Sequence, residues 1–221
     1  MKIYPLFRII YFISVLLIFT SCESQKTPQE KNGFLRVEAE DFYLQTNDNI
    51  RKWYIIDNDF SSELKDADAS HSKSASKNAY IEILPDTRQT HDDKLIRKEN
   101  FNNTPGMAVV HYKVNIATPG RYYIWAKAFS TGPEDNGVHV GLNGQWPASG
   151  KRMQWCKGKR SWYWESKQRT KEVHCGIEHA IYLDIDEPGE HVIQFSMRED
   201  GFEMDEWLMT TDKNYNPRQK S

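Results

Sequence analysis

From Phe34 onward, apolar side chains recur at every second position in short runs, and each run is cut off by a turn-forming dipeptide. This period constrains the fold most, because residues i, i+2 and i+4 share one face of a strand, whereas a helix requires spacings of three and four. Val110, Tyr112, Val114 and Ile116 form one such face and stop at Pro119-Gly120. Val138, Val140 and Leu142 lead to Asn143-Gly144, a pair that favours the tight turn of a hairpin. Ile181, Leu183 and Ile185 alternate up to Pro188-Gly189, Val192 to Met197 follows, and Asp200-Gly201 separates that run from Met204 to Thr210. Short strands spaced by such turns predict an all-β sandwich or barrel, and no segment carries a convincing helical pattern.

The run Arg121 to Phe129 is apolar on both sides, with Tyr122, Ile124, Ala126 and Ala128 on one and Tyr123, Trp125 and Phe129 on the other. A strand of that kind is covered on both faces. Two segments break the rhythm. Pro85 to Gly106 is charged and rich in Asn and Asp, and is expected to form a long inserted loop. Gly150 to Lys171 holds eight basic residues against the single acid Glu165, interleaved with Trp155, Trp162, Tyr163 and Trp164.

The start of the chain has a separate function. Lys2 and Arg8 precede an apolar run from Ile9 to Phe19, which ends in Thr20 and Ser21 before Cys22. A positive n-region, a short apolar h-region and small residues at the cut make residues 1–21 a signal peptide, too short to span a bilayer. A cysteine directly after the cut is similar to a lipoprotein signal, in which that thiol is lipidated, with Phe19 standing where Leu is usual. Ordinary secretion with Cys22 incidental is the other reading. Lipidation implies an exported chain anchored in the bacterial envelope, at the outer membrane or cell surface, and otherwise soluble. Residues 22–33, polar and almost without apolar side chains, read as a flexible tether. The folded part is expected over 34–212, followed by a tail over 213–221.

Without the leader the chain has 27 basic and 31 acidic side chains, a net −4 that predicts solubility and says little about partners. With Cys22 assigned to the lipid, Cys156 and Cys175 remain as a pair. Outside the cytoplasm such a pair is expected to be oxidised, two free thiols being the alternative, and closing the loop is worth ~3 kcal/mol.

Flat apolar rings beside polar or charged side chains are the features that mark a ligand-binding surface. Trp207 and Trp125 have plausible buried places in strands. Trp155, Trp162, Tyr163 and Trp164 lie in a segment too basic to be buried as a whole; if it is extended, Trp162 and Trp164 face one way and Tyr163 the other. A small satellite core under a long loop is the competing account of these rings. Arg160, with Arg152, Lys157 and Lys159, would complement carboxylate or sulfate groups, so the expected ligand is acidic. The same composition suits nucleic acid, which export argues against.

The opening Val37-Glu38-Ala39-Glu40-Asp41-Phe42, the strand Tyr122 to Ala126 after a Pro-Gly turn, and the closing Arg198 to Leu208 together resemble the carbohydrate-binding modules of families 6 and 35. The resemblance implies a jelly-roll β-sandwich of two antiparallel sheets. Such modules are appended to glycoside hydrolases and polysaccharide lyases, so these and transporters are the partners it implies. It also implies a structural Ca²⁺ held by Glu38, Glu40 and Asp205, with backbone carbonyls from the loop around Ser72 to Lys77 completing the six to eight oxygens calcium prefers. On spacing alone, Glu38 and Glu40 are two apart on a strand and read as a solvated edge. Asp135, Asn136 and Asn214 fall near strand ends, where these modules place polar contacts.

No catalytic constellation is legible. The seven histidines are scattered, and neither His-x-x-x-His nor Gly-x-Ser-x-Gly occurs. A lyase could use His139, His174 or Tyr182 without a local motif. The expected function is therefore a membrane-tethered, non-catalytic carbohydrate binder, with a polysaccharide-active enzyme and an adhesion or envelope protein as alternatives.

Overall fold

The computed structural model describes residues 27–66 and 68–219. The signal peptide and the lipidated Cys22 lie outside the described residues. Fourteen strands account for most of the regular structure among the described residues. They are β1 (Phe34–Glu38), β2 (Leu44–Thr46), β3 (Lys52–Ile56), β4 (Tyr80–Leu84), β5 (Val109–Ile116), β6 (Gly120–Phe129) and β7 (Gly137–Leu142). After these come β8 (Met153–Gln154), β9 (Tyr163–Glu165), β10 (Lys167–Gln168), β11 (Ile177–Glu178), β12 (Tyr182–Ile185), β13 (Gly189–Met197) and β14 (Glu203–Thr210). The helical elements among the described residues are single 3₁₀ turns of three residues.

Two seven-stranded antiparallel sheets face each other, so of the sandwich and barrel that the alternation left open the chain adopts the sandwich that the resemblance implies. One runs β12-β6-β14-β4-β3, with β1 and β9 added at β14 and β6; the other runs β11-β10-β8-β7-β13-β5-β2. Val110, Tyr112, Val114 and Ile116 meet Tyr122, Ile124, Ala126 and Ala128 in one core that also holds Trp207. The ring edge of Tyr112 packs on Trp207 with centroids 5.2 Å apart. Full burial of each such side chain is worth about 1.5–3 kcal/mol.

The far side of β6 is covered too. Trp125, Leu208 and Trp164 form a second apolar layer on the outer face, with Phe34 and Tyr215 against it. This requires two corrections to the domain boundaries. Residues 213–219 are not a free tail, because Tyr215 packs on Phe34 with centroids 5.3 Å apart and Pro217 is buried. Residues 27–33 are not wholly tether either. The Glu30 carboxylate accepts the backbone N–H groups of Ala117 and Thr118 at 2.8 and 2.9 Å, and Gln29 bridges Asn115. A lone acid in a polar stretch looks like a solvated charge until the chain it ties down is known.

β14 carries a bulge that organises its neighbours. Met204 opposes Ala128 and Glu206 opposes Lys127, so Asp205 is the extra residue. The other edge of β14 pairs with β4 through Glu203 and Met204 and with β1 from Glu206 to Thr210. The bulge therefore sits where one partner strand ends and the next begins, and bulges re-aim side chains at such points.

Candidate functional site

Among the described residues, three gatherings of polar or aromatic side chains bear on the sequence reading. The first is the gap at the bulge. Glu38 ends β1 opposite Glu206, and one carboxylate oxygen each of Glu38, Asp205 and Glu206 lie within 4.8 Å of one another. The loop before β4 closes over them: Ser76 donates its N–H to Asp205 Oδ1 at 2.9 Å and its hydroxyl to Glu38 Oε1 at 3.1 Å. Lys127 Nζ is 2.7 Å from Asp205 Oδ2, and Lys77 Nζ is 3.6 Å from Glu38 Oε1. Glu206 is paired with Arg36 and Lys127. Glu40 corrects the sequence reading, because β1 ends at Glu38 and Glu40 lies in the 3₁₀ turn Ala39–Asp41 rather than two along a strand. Burial, followed by the charges of Glu38 and Asp41, pushes the Glu40 carboxyl up to about 7. Oε2 of Glu38 and Oε2 of Glu40 are both buried without a hydrogen-bond partner. Orphaned carboxylate oxygens beside an acid pair fit a hard divalent cation, whose charge would offset their desolvation.

The second place is a cleft of about 410 Å³ on the outer face of the β6–β14 sheet, lined by Trp162, Tyr163, Trp164 and Tyr215 with Arg36 and Arg218. β9 sets Trp164 opposite Lys127, and Arg36 lies 5.3 Å from its ring centroid. Arg218 stacks 4.9 Å over Trp125 and donates to the Tyr163 hydroxyl at 3.5 Å. Trp162 donates its ring N–H to Ser74 Oγ at 3.1 Å and leans on Tyr80 and Phe129. Trp162 and Tyr163 remain half-buried, whereas Trp164 is 9% exposed. All three line one cleft, although Tyr163 and Trp164 are adjacent in β9 and Tyr163 was expected to face the other way.

Other members of the basic segment do something else. Trp155 is a core residue at 0% exposure, packed on Phe202 and donating its N–H to the Tyr163 carbonyl at 2.9 Å; its surroundings, not the local charge, decide its burial. Lys159 is an internal clamp that donates to Ser130 Oγ and the Gly132 carbonyl. Arg160 is exposed, with its backbone N–H on Ser130, and lies outside the cleft lining. The segment is closed by the Cys156–Cys175 disulfide.

The third place is a pocket of about 260 Å³ where the β4–β5 loop, the β6–β7 loop, the β13–β14 turn and the stretch after β10 converge. Arg88, Phe101, Glu134, Arg169, Arg198 and Glu199 contribute to its wall, with His91 and His174. Arg88 and His91 pair with Glu134, and Arg198 pairs with Glu199. These residues come from four separate segments, so no local motif could reveal the grouping.

The polar residues expected at the loop ends mostly serve the loops themselves. Asp135 accepts Ser130 Oγ at 2.7 Å and Thr131 N–H and Oγ1 at 2.6 Å, so its oxygens are spent on its own turn. Asn136 donates its N–H to Glu199 at 2.8 Å and its side-chain amide to the Pro133 carbonyl at 2.7 Å; it also contributes to the loop-end pocket wall. Asn214 is exposed beyond β14 and caps back to Asp212. Among the enzyme candidates, His139 is fully buried, Tyr182 lies beneath Arg121 at 3.8 Å, and His174 is in the loop-end pocket, so the three do not converge on one site.

No family model matches the chain. It is 57% identical over 194 residues to the uncharacterized protein P23 of Formosa agariphila, covering 87% of this chain and 47% of that one. The chain thus spans about half the length of that relative. Family 35 and family 6 carbohydrate-binding modules are among the solved structures to which it is similar. The family 35 module of Clostridium thermocellum is 15% identical with a TM-score of 0.42, covering 80% of this chain and 96% of that one. The C-terminal family 6 module of LamC from Zobellia galactanivorans is 10% identical with a TM-score of 0.37, covering 80% and 99%. A Paenibacillus xanthan lyase is 12% identical with a TM-score of 0.44, covering 80% of this chain and 13% of the lyase.

Proposed function

We propose that this chain is a non-catalytic carbohydrate-binding module that holds an acidic polysaccharide, uronate-rich or sulfated, for partner hydrolases, lyases or transporters. The observation that carries this reading is the outer-face cleft. Trp162, Tyr163 and Trp164 line it beside the guanidinium groups of Arg36 and Arg218. Aromatic faces accept the C–H side of a pyranose, and guanidinium groups pair with its carboxylate or sulfate in a bidentate fork. The terminal strands, which resemble family 6 and 35 modules, support the same conclusion.

Calcium belongs to this proposal. Glu38, Glu40 and Asp205 would hold it, and it would supply a fixed charge that ties β1 to β14 rather than any chemistry. Export on a lipid anchor at Cys22 is the remaining part, resting on the leader sequence alone; among the described residues no helix is long and apolar enough to cross a membrane.

The test is migration through gels containing uronate-rich, sulfated or neutral glycan, combined with an assay for new reducing ends or unsaturated products. Retardation without product supports the binder. Product release would replace it with an enzyme, and indifference to every glycan would leave an envelope scaffold.

A further inference from the structure

We infer that the turn end of the sandwich is the face this protein presents to the bilayer, because the chain between Cys22 and Pro28 is too short to let the loop end take its place. The inference rests on the lipid anchor proposed at Cys22 and carries it from attachment to orientation. It starts from where the chain joins the fold. Asn115, near the end of β5, donates its N–H to the Pro28 carbonyl and accepts the Glu30 N–H, both at 2.9 Å. Glu30 is 4% exposed, and its carboxylate accepts the N–H groups of Gly33, Ala117 and Thr118. Hydrogen bonds to a charged acceptor are the stronger kind. Pro28 is therefore a fixed point of the fold.

The strand registers place that point at one end. Ile116 opposes Gly189 and Gly120 opposes Ile185, so the β5–β6 and β12–β13 turns lie together beside it. Glu203 opposes Phe129 and Met197 opposes Val138, so the β6–β7 and β13–β14 loops form the other end, where the third pocket lies. β6 runs the height between the two ends with ten residues, and at ~3.3 Å per residue that height is about 30 Å.

The reach of the anchor is smaller. Pro28 stands six residues beyond Cys22, and even a fully extended chain covers at most ~3.6 Å per residue, about 22 Å in all. To stand on its loop end, the module would have to lift Pro28 about 30 Å from the bilayer, farther than the lipid-bearing residue can follow. A tether running to Gly33, as composition predicts, would reach about 40 Å and permit that inversion. The hydrogen bonds at Pro28 and Glu30 thus decide the orientation. The turns face the lipid, the loop end faces outward, and the cleft of Trp162 and Trp164 opens on the flank.

The lipidated full chain in vesicles of phosphatidylethanolamine and phosphatidylglycerol, with an energy acceptor on the lipid headgroups, tests this. The chain has three cysteines, Cys22 and the disulfide pair Cys156–Cys175, so with Cys22 under lipid one introduced thiol is labelled alone. Ala117→Cys carries a fluorescent donor at the turn end and Asp92→Cys at the loop end, both at exposed positions. The donor on Ala117→Cys should lose more emission to the headgroup acceptor than the donor on Asp92→Cys. Inserting about twelve Gly-Ser residues after Glu23 should shrink that difference, because the longer tether permits inversion. Equal transfer from the two donors, or greater transfer from Asp92→Cys, overturns the inference, as does a difference that the insertion leaves unchanged. A chain that fails to float with the vesicles would refute the anchor itself and the inference with it, an outcome that flotation separates from a wrong orientation.

Discussion

Glu38 at the end of the first strand and Asp205 at the bulge of the last bring carboxylate oxygens within 4.8 Å of each other, and Ser76 hydrogen-bonds to both. The two ends of the sandwich thus converge on one small acidic gap. Chelation is expected to lower the melting temperature of the protein, and Glu38→Ala or Asp205→Ala should abolish that response. An identical melting curve with and without chelator in the unaltered protein would remove calcium from the proposal.

Trp155 and Trp162 lie in the same segment and should behave oppositely. Trp155→Ala empties a fully buried site and should cost about 3–5 kcal/mol in denaturant unfolding. Trp162→Ala removes a half-buried ring from the cleft and should abolish glycan retardation while the chain still unfolds cooperatively. Retained retardation in Trp162→Ala and Trp164→Ala together would move the sugar site elsewhere.

His139 predicts an acid-side instability. Its Nδ1 accepts the Arg152 N–H at 3.0 Å and its Nε2 faces the Asn102 carbonyl at 3.1 Å, an arrangement that fixes the neutral ring with the proton on Nε2. Burial, the largest influence, pushes its pKa down to about 3 from an ordinary 6.5. Because the folded pKa is depressed, the contribution is present in full above 6.5. It is lost as pH falls toward 3, with a slope of about 1.4 kcal/mol per pH unit, as the unfolded chain takes up a proton that the folded chain refuses. Stability against denaturant at a series of pH values, in the unaltered protein and in His139→Gln, isolates this slope; equal slopes would contradict it.

Reduction of Cys156–Cys175 should cost ~3 kcal/mol by releasing loop entropy to the unfolded chain. It should also weaken glycan binding, because the loop would have to be ordered on association. Denaturant unfolding and calorimetric titration, each with and without reductant, measure the two effects in turn, and unchanged affinity after reduction would mean that the loop does not preorganise the cleft.

Much of the fold was legible because a half-buried strand leaves its period in the chain. Val110 to Ile116 and the two-sided Arg121 to Phe129 are examples, both buried on the faces their spacing predicts. The basic aromatic segment was legible as unusual, but its members could not be sorted. Trp155 and Trp162 are seven residues apart in the same composition, and what separates them is Phe202 above one and Ser74 beside the other. The loop-end pocket left no signal, since Arg88, Phe101, Glu134, Arg169 and Arg198 are brought together by strand pairing alone.

The sequence by itself determined the all-β succession of short strands, the turns and the acidic residues near the chain's first and last strands, since periodicity and turn chemistry act within a few residues. The tertiary structure decided which rings face solvent and that Glu40 leaves the strand. Those outcomes depend on what lies across the sheet, and a one-dimensional pattern carries no information about distance in space.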